Sequence, residues 1–280
     1  MNLKSFDRVA HCYDDTRGMP PDAARAVGNA IAAIARDVSH APRLLEVGIG
    51  TGRIAVPLAE AGVRVTGIDI APKMLAVLRQ KLLDRGAGFQ PASAGVVDVL
   101  LAEASRPPLR DATFDATLFV HILHLVPDAE ATLRATARLV HSGGVILFGY
   151  DQGRIGQRAQ ADDIIARAVE EIAGVPIPTH DKHDEARDLT ERVLRQLGAA
   201  VTITTVASWP ERARGRTMLD RLGRKDYSSS WLIPDDALPA VIERVTPQLD
   251  ALYGGLEREI EWTRTFQLLS GRLPGEVRLC

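Results

Sequence analysis

Cysteine is nearly absent from this chain, with two in 280 residues, Cys12 and Cys280. One lies near each end, so they form neither a metal-ligand spacing nor a disulfide framework, and a reducing, cytoplasmic setting is expected. Net charge is equally scarce at −2, which gives no bulk attraction to nucleic acid or to a membrane surface. No uninterrupted apolar run approaches the ~20 residues of a membrane span. The opening Met1 to Ala10 also lacks the apolar stretch of a secretory signal. Repeats and low-complexity tracts are missing as well. What remains is a globular chain long enough to bury a full core, as one large domain or one domain with a sizeable insertion.

Against these absences, Leu44 to Ala55 stands out. The apolar run Leu-Leu-Glu-Val ends in three glycines at alternate positions, Gly48, Gly50 and Gly52. Glycine takes positive φ and has no Cβ, so such a turn can pass sharply from strand to helix and let a ligand lie against bare backbone N–H groups. An ordinary tight turn has the same composition. The next apolar run, Val63 to Ile70, ends in Asp69, some twenty residues past the glycines, where a dinucleotide-type site places its ribose-binding acid. One ionised carboxylate can accept from both hydroxyls of a ribose. Asp69 could equally cap the helix that opens at Ala71-Pro72.

The glycine spacing bears on the ligand. Nicotinamide and flavin sites usually read Gly-x-Gly-x-x-Gly, whereas this chain has Gly-x-Gly-x-Gly preceded by Glu46 inside the strand. A carboxylate beside a pyrophosphate repels it, yet it suits a ligand carrying an ammonium and a sulfonium. Here the chain resembles the class I S-adenosylmethionine-dependent methyltransferases, whose first motif reads much like Leu-Glu-Val-Gly-x-Gly-Thr-Gly. The resemblance continues through Leu101 to Ala116, Leu118 to Asp128 and Ala137 to Leu147, four ordered motifs over roughly 6–150. It is strongest toward the small-molecule methyltransferases of ubiquinone and menaquinone biosynthesis. It implies S-adenosylmethionine as cofactor, S-adenosylhomocysteine as product, Glu103 on the adenine amine, Ala104 offering its backbone and Ile70 packing on the adenine face. Two departures are visible: Glu103 stands where the family has Asp, and His141-Ser-Gly-Gly144 replaces a Lys-Pro-Gly-Gly turn expected to be a loop.

Short apolar runs at 44–47, 63–68, 96–101, 116–120 and 145–148 alternate with stretches of helical spacing such as Val27, Ile31, Ile34 and Val38. That alternation predicts an α/β fold with a parallel sheet covered on both faces. With further strands at 201–206 and near 262–269, the resemblance implies a Rossmann-like, doubly wound sheet of seven strands, mostly parallel with an antiparallel last strand. The expected organisation is an N-terminal helical lid over 1–40 and an S-adenosylmethionine-binding core over 41–209 and 257–280, with an inserted helical segment at 152–183. A helical insertion or substrate cap follows at 210–256. In it, Leu238, Val241, Val245, Leu249, Leu252 and Leu256 predict an amphipathic helix folded on the core.

Ligands in open α/β sheets bind beyond the carboxyl ends of strands, which makes His121, after the fourth strand, and Asp151, after the fifth, candidates. His124 lies one helical turn past His121. Either histidine could remove a proton from a hydroxyl or phenol acceptor, and either could be structural. The N-terminal Phe6 to Arg17 resembles the leading motif of the small-molecule subset, with Tyr13 and Arg17 closing the site and Arg17 meeting a carboxylate or anionic substrate. The insertion holds six cations, Arg212, Arg214, Arg216, Arg221, Arg224 and Lys225, against Glu211, Asp220 and Asp226, together with Trp209, Tyr227 and Trp231. This is either a solvated face or an anion-favouring wall. His180, Asp181, His183 and Asp184 have a metal-site composition without a fold context, and no metal is expected.

The expected activity is methyl transfer to the O, N, S or C of a small-molecule acceptor, with no nucleic-acid or membrane partner. The alternative is a protein that binds S-adenosylmethionine or S-adenosylhomocysteine without transferring methyl, as a sensor, partner subunit or non-methylating catalyst. A nicotinamide oxidoreductase lacks its pyrophosphate turn here. A nucleic-acid methyltransferase lacks both basic charge and an Asp-Pro-Pro-Tyr type motif.

Overall fold

A computed structural model describes residues 5–86, 95–152, 156–177 and 182–275. Its strands are β1 (Arg43–Val47), β2 (Arg64–Asp69), β3 (Val97–Leu101), β4 (Phe114–Val120), β5 (Val140–Gln152), β6 (Ala200–Arg214) and β7 (Glu259–Arg272). The helices are α1 (Tyr13–Arg17), α2 (Pro21–Arg36), α3 (Ala55–Glu60), α4 (Pro72–Gly86), α5 (Ala129–Ala137), α6 (Gln157–Ala173), α7 (Lys182–Gln196), α8 (Gly215–Gly223) and α9 (Leu238–Tyr253). A 3-10 turn at Asp7–Cys12 precedes α1.

The seven strands form one sheet in the order β3-β2-β1-β4-β5-β7-β6. β1 pairs parallel with β2 and β4, β2 with β3, and β4 with β5. β7 runs the other way. Leu273 donates to the Gly144 carbonyl while Tyr150, further along β5, meets Gln267, nearer the start of β7. On its other side Thr202 meets Ser270 and Arg212 meets Glu261, again in opposing order. The fold is therefore the Rossmann-like, mostly parallel seven-stranded sheet with an antiparallel last strand. Strand order reverses at β1, which has β2 on one side and β4 on the other, and such switch points leave a crevice at the strand ends.

Chain contacts divide the molecule into two units. One comprises Met1–Asp151, His183–Ala207 and Phe266–Cys280, the other Gln152–Lys182 and Ser208–Thr265. The first is built on the sheet. β1 and β4 are buried almost throughout, as central parallel strands must be. Leu45, Val47, Phe119, Ile146 and Phe148 pack with Leu133 of α5 and Val193 and Leu194 of α7. Burying a side chain of this size contributes about 1.5–3 kcal/mol. α5 starts where the Asp128 carboxylate accepts from Ala131 N–H at 2.8 Å, an N-cap. α2 buries Ala23, Val27, Ile31, Ala32 and Ala35 and packs on α3.

The second unit has its own apolar cluster. Val241, Val245, Leu249 and Tyr253 of α9 meet Ala161, Ile165 and Val169 of α6 and Leu219 and Leu222 of α8. Two expectations change accordingly. The 152–183 segment groups with the 208–265 region rather than with the core over 41–209, because the buried face of α6 is complementary to α9. The stripe on α9 is buried as expected, but in this second cluster instead of on the Rossmann core. The expected 1–40 lid also divides, since α2 is a core helix packed on α3 and only the residues before it reach the strand ends.

Four cations of the insertion are paired locally. Arg212 pairs with Glu261 at 2.6 Å, Arg216 with Glu257 at 3.2 Å and Arg224 with Asp226 at 3.1 Å. Lys225 is buried, donating to the Ile233 carbonyl at 2.5 Å and pairing with Asp235. Arg264 pairs with Glu211 at 2.7 Å and lies over the buried Trp209 ring. His180, Asp181, the His183 side chain and Cys280 lie outside the described residues. Among the described residues no cluster could hold a metal, and no helix is long and apolar enough to cross a membrane.

Candidate active site

A cleft of about 740 Å³, counted with its open mouth, lies at the carboxyl ends of β1 to β4. Four strand ends supply it: Gly48 and Gly50 after β1, Asp69 and Ile70 closing β2, Ala102 to Ser105 after β3, and Val120, His121 and Ile122 after β4. Phe6 and Tyr13 come from the N-terminal segment, Met74 from α4, and Leu125, Val126 and Pro127 from the stretch before α5.

The glycine loop is as tight as its sequence predicts. Gly48 has φ +74°, and a Cβ there would come within 2.7 Å of Ile122. Gly48→Ala should therefore destabilise the fold by roughly 2–4 kcal/mol, from left-handed backbone strain plus overpacking. Urea unfolding measures this, and an unchanged midpoint would show that Ile122 gives way. Gly52 does not line the cleft. Its missing Cβ makes room for Leu78 of α4, 2.3 Å from where that atom would sit, so packing demands this glycine. The following helix begins only at Ala55, after intervening turns.

Asp69 anchors the loop. Its Oδ2 accepts from Gly50 N–H and its Oδ1 from Ala71 N–H, each at 2.8 Å. Burial raises its pKa, against the pull of N–H groups from Ala71, Gly50 and Ile70, and Asp7 pushes it further up. The carboxylate thus ties β1 to β2 and opens the turn into α4 while lining the cleft. Glu103 is exposed, with Ser105 donating to its Oε1 at 2.5 Å; Ala104 beside it is buried.

Glu46 departs from its expected place. It does not line the cleft but is buried in β1, 3 % exposed, with Oε2 lacking a hydrogen-bond partner among the described residues. Burial pushes its pKa up to about 8, with Arg53 pulling down and Asp69 pushing up. A strand flanked on both sides leaves this side chain no path to water, so its charge is suppressed.

The N-terminal segment is fastened to the glycine loop. Asp14 Oδ1 accepts from Thr51 Oγ1 at 2.7 Å and pairs with Lys81, whose ammonium also donates to the Thr51 carbonyl at 2.9 Å. Asp7 accepts from Lys73 N–H, and Phe6 and Tyr13 pack with Ala10, Ala71 and Met74. Arg17 is not among the residues facing the cleft. Its guanidinium lies 5.2 Å from the Tyr13 ring centre and 5.6 Å from that of Phe6, a cation–π arrangement.

His121 faces the cleft with φ +55°, a left-handed backbone rare outside glycine. Its Nε2 lies 3.1 Å from Asp151 Oδ2, at the end of β5. Arg53 Nη1 is 3.7 Å from the same oxygen and donates to the Arg17 carbonyl at 2.8 Å. All three side chains are largely buried, Asp151 being 6 % exposed. His124 is not among the lining residues. The sequence makes Asp151 a candidate for its place at the fifth strand but does not pair it with His121, and it does not single out Arg53. The signal available was Arg53's place within the glycine turn.

His141 sits inside β5 rather than in a loop. The β4–β5 register jumps from Phe114↔Val140 to Ala116↔Val145, so residues 141–144 bulge. Its Nε2 meets Asp115 at 2.8 Å, and this pairing raises its pKa. Asp115 also receives Arg43 N–H at the start of β1, at the opposite end of the sheet from the cleft.

This fold, with its glycine loop and acids on successive strand ends, is similar to that of class I methyltransferases. Residues 45–148, from β1 into β5, match the model of a methyltransferase domain family. It is 34 % identical over 143 residues to the ubiquinone biosynthesis O-methyltransferase of Paracidovorax citrulli, covering 50 % of this chain and 55 % of that protein. It is 34 % identical over 115 residues to the phosphatidylethanolamine N-methyltransferase of Cereibacter sphaeroides, covering 40 % and 53 %. The chain thus spans about half the length of the curated relatives it matches. The solved structure of the YcgJ protein from Bacillus subtilis shares the fold, with a TM-score of 0.55 at 15 % identity, over 89 % of this chain and 98 % of that one.

Proposed function

We propose that the protein transfers a methyl group from S-adenosylmethionine to a small-molecule acceptor, and that the cleft at the ends of β1 to β4 holds the donor. The observation that carries this reading is the joint placement, in one cleft, of the glycine loop, the Asp69 carboxylate and the Glu103 carboxylate. Gly48 and Gly50 line the cleft with backbone alone, so the loop fits a ligand lying against it. When bound, S-adenosylmethionine supplies an electrophilic methyl on a sulfonium.

The chain's own residues do the rest. Asp69 has lone pairs beyond those used by Gly50 and Ala71, and these accept from the two ribose hydroxyls. Glu103 accepts from the adenine amine, Ala104 offers its backbone, and Ile70 packs on the adenine face. Gly48 and Gly50 admit the methionine portion. Tyr13 covers it, held by the Asp14, Thr51 and Lys81 fastening, and this cover excludes water. His121 holds the acceptor or takes its proton, and His124 stands behind it as the second candidate. The relatives include an O- and an N-methyltransferase by name, so the acceptor atom rests on the chemistry of the cleft.

Titration calorimetry with S-adenosylmethionine, S-adenosylhomocysteine and NAD checks the reading. Binding of the first two without NAD is expected, and NAD binding alone would sink it.

A further inference from the structure

His121 occupies a costly backbone conformation, and strain of this kind persists where surrounding structure over-determines it. Here the surroundings are two buried charges from distant parts of the chain. Asp151 Oδ2 is shared between His121 Nε2 at 3.1 Å and Arg53 Nη1 at 3.7 Å. Arg53 is itself held by the Arg17 carbonyl at the end of α1 and lies close enough to the buried Glu46 to influence it. The other ionisable groups lining the cleft are Tyr13 of α1, Asp69 of β2 and Glu103 past β3.

We propose that Asp151 and Arg53 are positioning residues for His121, the carboxylate fixing the imidazole as its Nε2–H tautomer and the guanidinium limiting how strongly that carboxylate favours the protonated ring. The inference rests on the methyl-transfer reading only for its purpose, not for its geometry. A carboxylate accepts and cannot donate, so Nε2 must carry the hydrogen and Nδ1 keeps the lone pair. A base of this kind serves an acceptor whose nucleophilic atom carries a proton, such as a hydroxyl. The acceptor's O–H bond breaks, its electron pair forms the new O–CH3 bond while the donor's S–CH3 bond breaks with its pair left on the sulfur of S-adenosylhomocysteine, and the proton ends on Nδ1. Asp151 alone would hold His121 as imidazolium to higher pH and spoil the base, and Arg53 offsets this. Because the Arg17 carbonyl anchors Arg53, seating of the N-terminal segment and readiness of the base depend on one guanidinium.

The test is ¹⁵N NMR of the histidine side chains in the ligand-free protein, with His121 assigned by the signal missing in His121→Gln. In the unmutated protein, the shifts should report the Nε2–H tautomer. The Nδ1–H tautomer there overturns the proposal whatever the variants do. Asp151→Asn should lower the pH midpoint of His121 by about one unit, and Arg53→Met should raise it. No movement in Asp151→Asn, or movement of both variants in one direction as general loosening would give, also overturns it. Cofactor binding is measured separately by calorimetry with S-adenosylhomocysteine. Its failure would remove the methyl-transfer reading and leave the NMR result standing on its own.

Discussion

Asp69→Ala should lose about 100-fold or more in affinity for S-adenosylhomocysteine, measured by titration calorimetry. Two hydrogen bonds to a charged acceptor are worth roughly 1.5–3 kcal/mol each, and deleting the carboxylate removes both from the ribose. The same change strips the Gly50 and Ala71 N–H groups of their acceptor, so the loop loosens where the ligand must lie. Asp69→Asn separates the two effects, since its amide oxygen still accepts from one backbone N–H and keeps the local shape. Its affinity should fall between the two. An Asp69→Ala protein that binds as tightly as the parent would place the ribose elsewhere.

Glu46→Gln should change how stability depends on pH. The folded carboxyl has its pKa pushed up to about 8 from an ordinary value of 4.5, so between these values the folded state binds a proton that the unfolded chain has released. Stability from this group is therefore fully present below about pH 4.5 and falls as pH rises toward 8, by about 1.4 kcal/mol per pH unit across the window. Glutamine carries no charge at any of these values, so that component of the slope disappears. Urea unfolding at pH 5, 6.5 and 8 should show the variant close to the parent at the lowest pH and more stable by several kcal/mol at the highest. Parallel slopes would show that Glu46 is ionised in the fold despite its burial.

Much of the sheet could be read from the chain because central parallel strands are continuous apolar runs bounded by glycine or charge. β1, β2 and β4 are of this kind, and Gly48, Asp69 and His121 follow from them as residues at or just past strand ends. What escaped was non-local. The start of β5 was hidden because Ser142-Gly-Gly144 has the composition of a turn, and only pairing with β4 shows that the chain bulges and continues. The partner of α6 could not be read because its apolar face specifies burial but not the surface that buries it. The approach of Asp151 to His121, 30 residues away, follows from the register of two neighbouring strands, which no spacing announces. Glu46 was legible in identity but not in access, since strand alternation does not say which face a covering helix has sealed.

In the role proposed for His121, its left-handed turn sets stability against that role. A glycine there would fold at lower cost, since non-glycine residues lose roughly 1 kcal/mol or more in that region. Substitution toward stability would thus tend to erase the imidazole, and its retention is a running cost borne by the rest of the core. Accelerated selection for thermal robustness alone should discard this histidine early, well before it touches Gly48, which packs against Ile122 in a left-handed turn, or Asp69, whose carboxylate holds the Gly50 and Ala71 N–H groups.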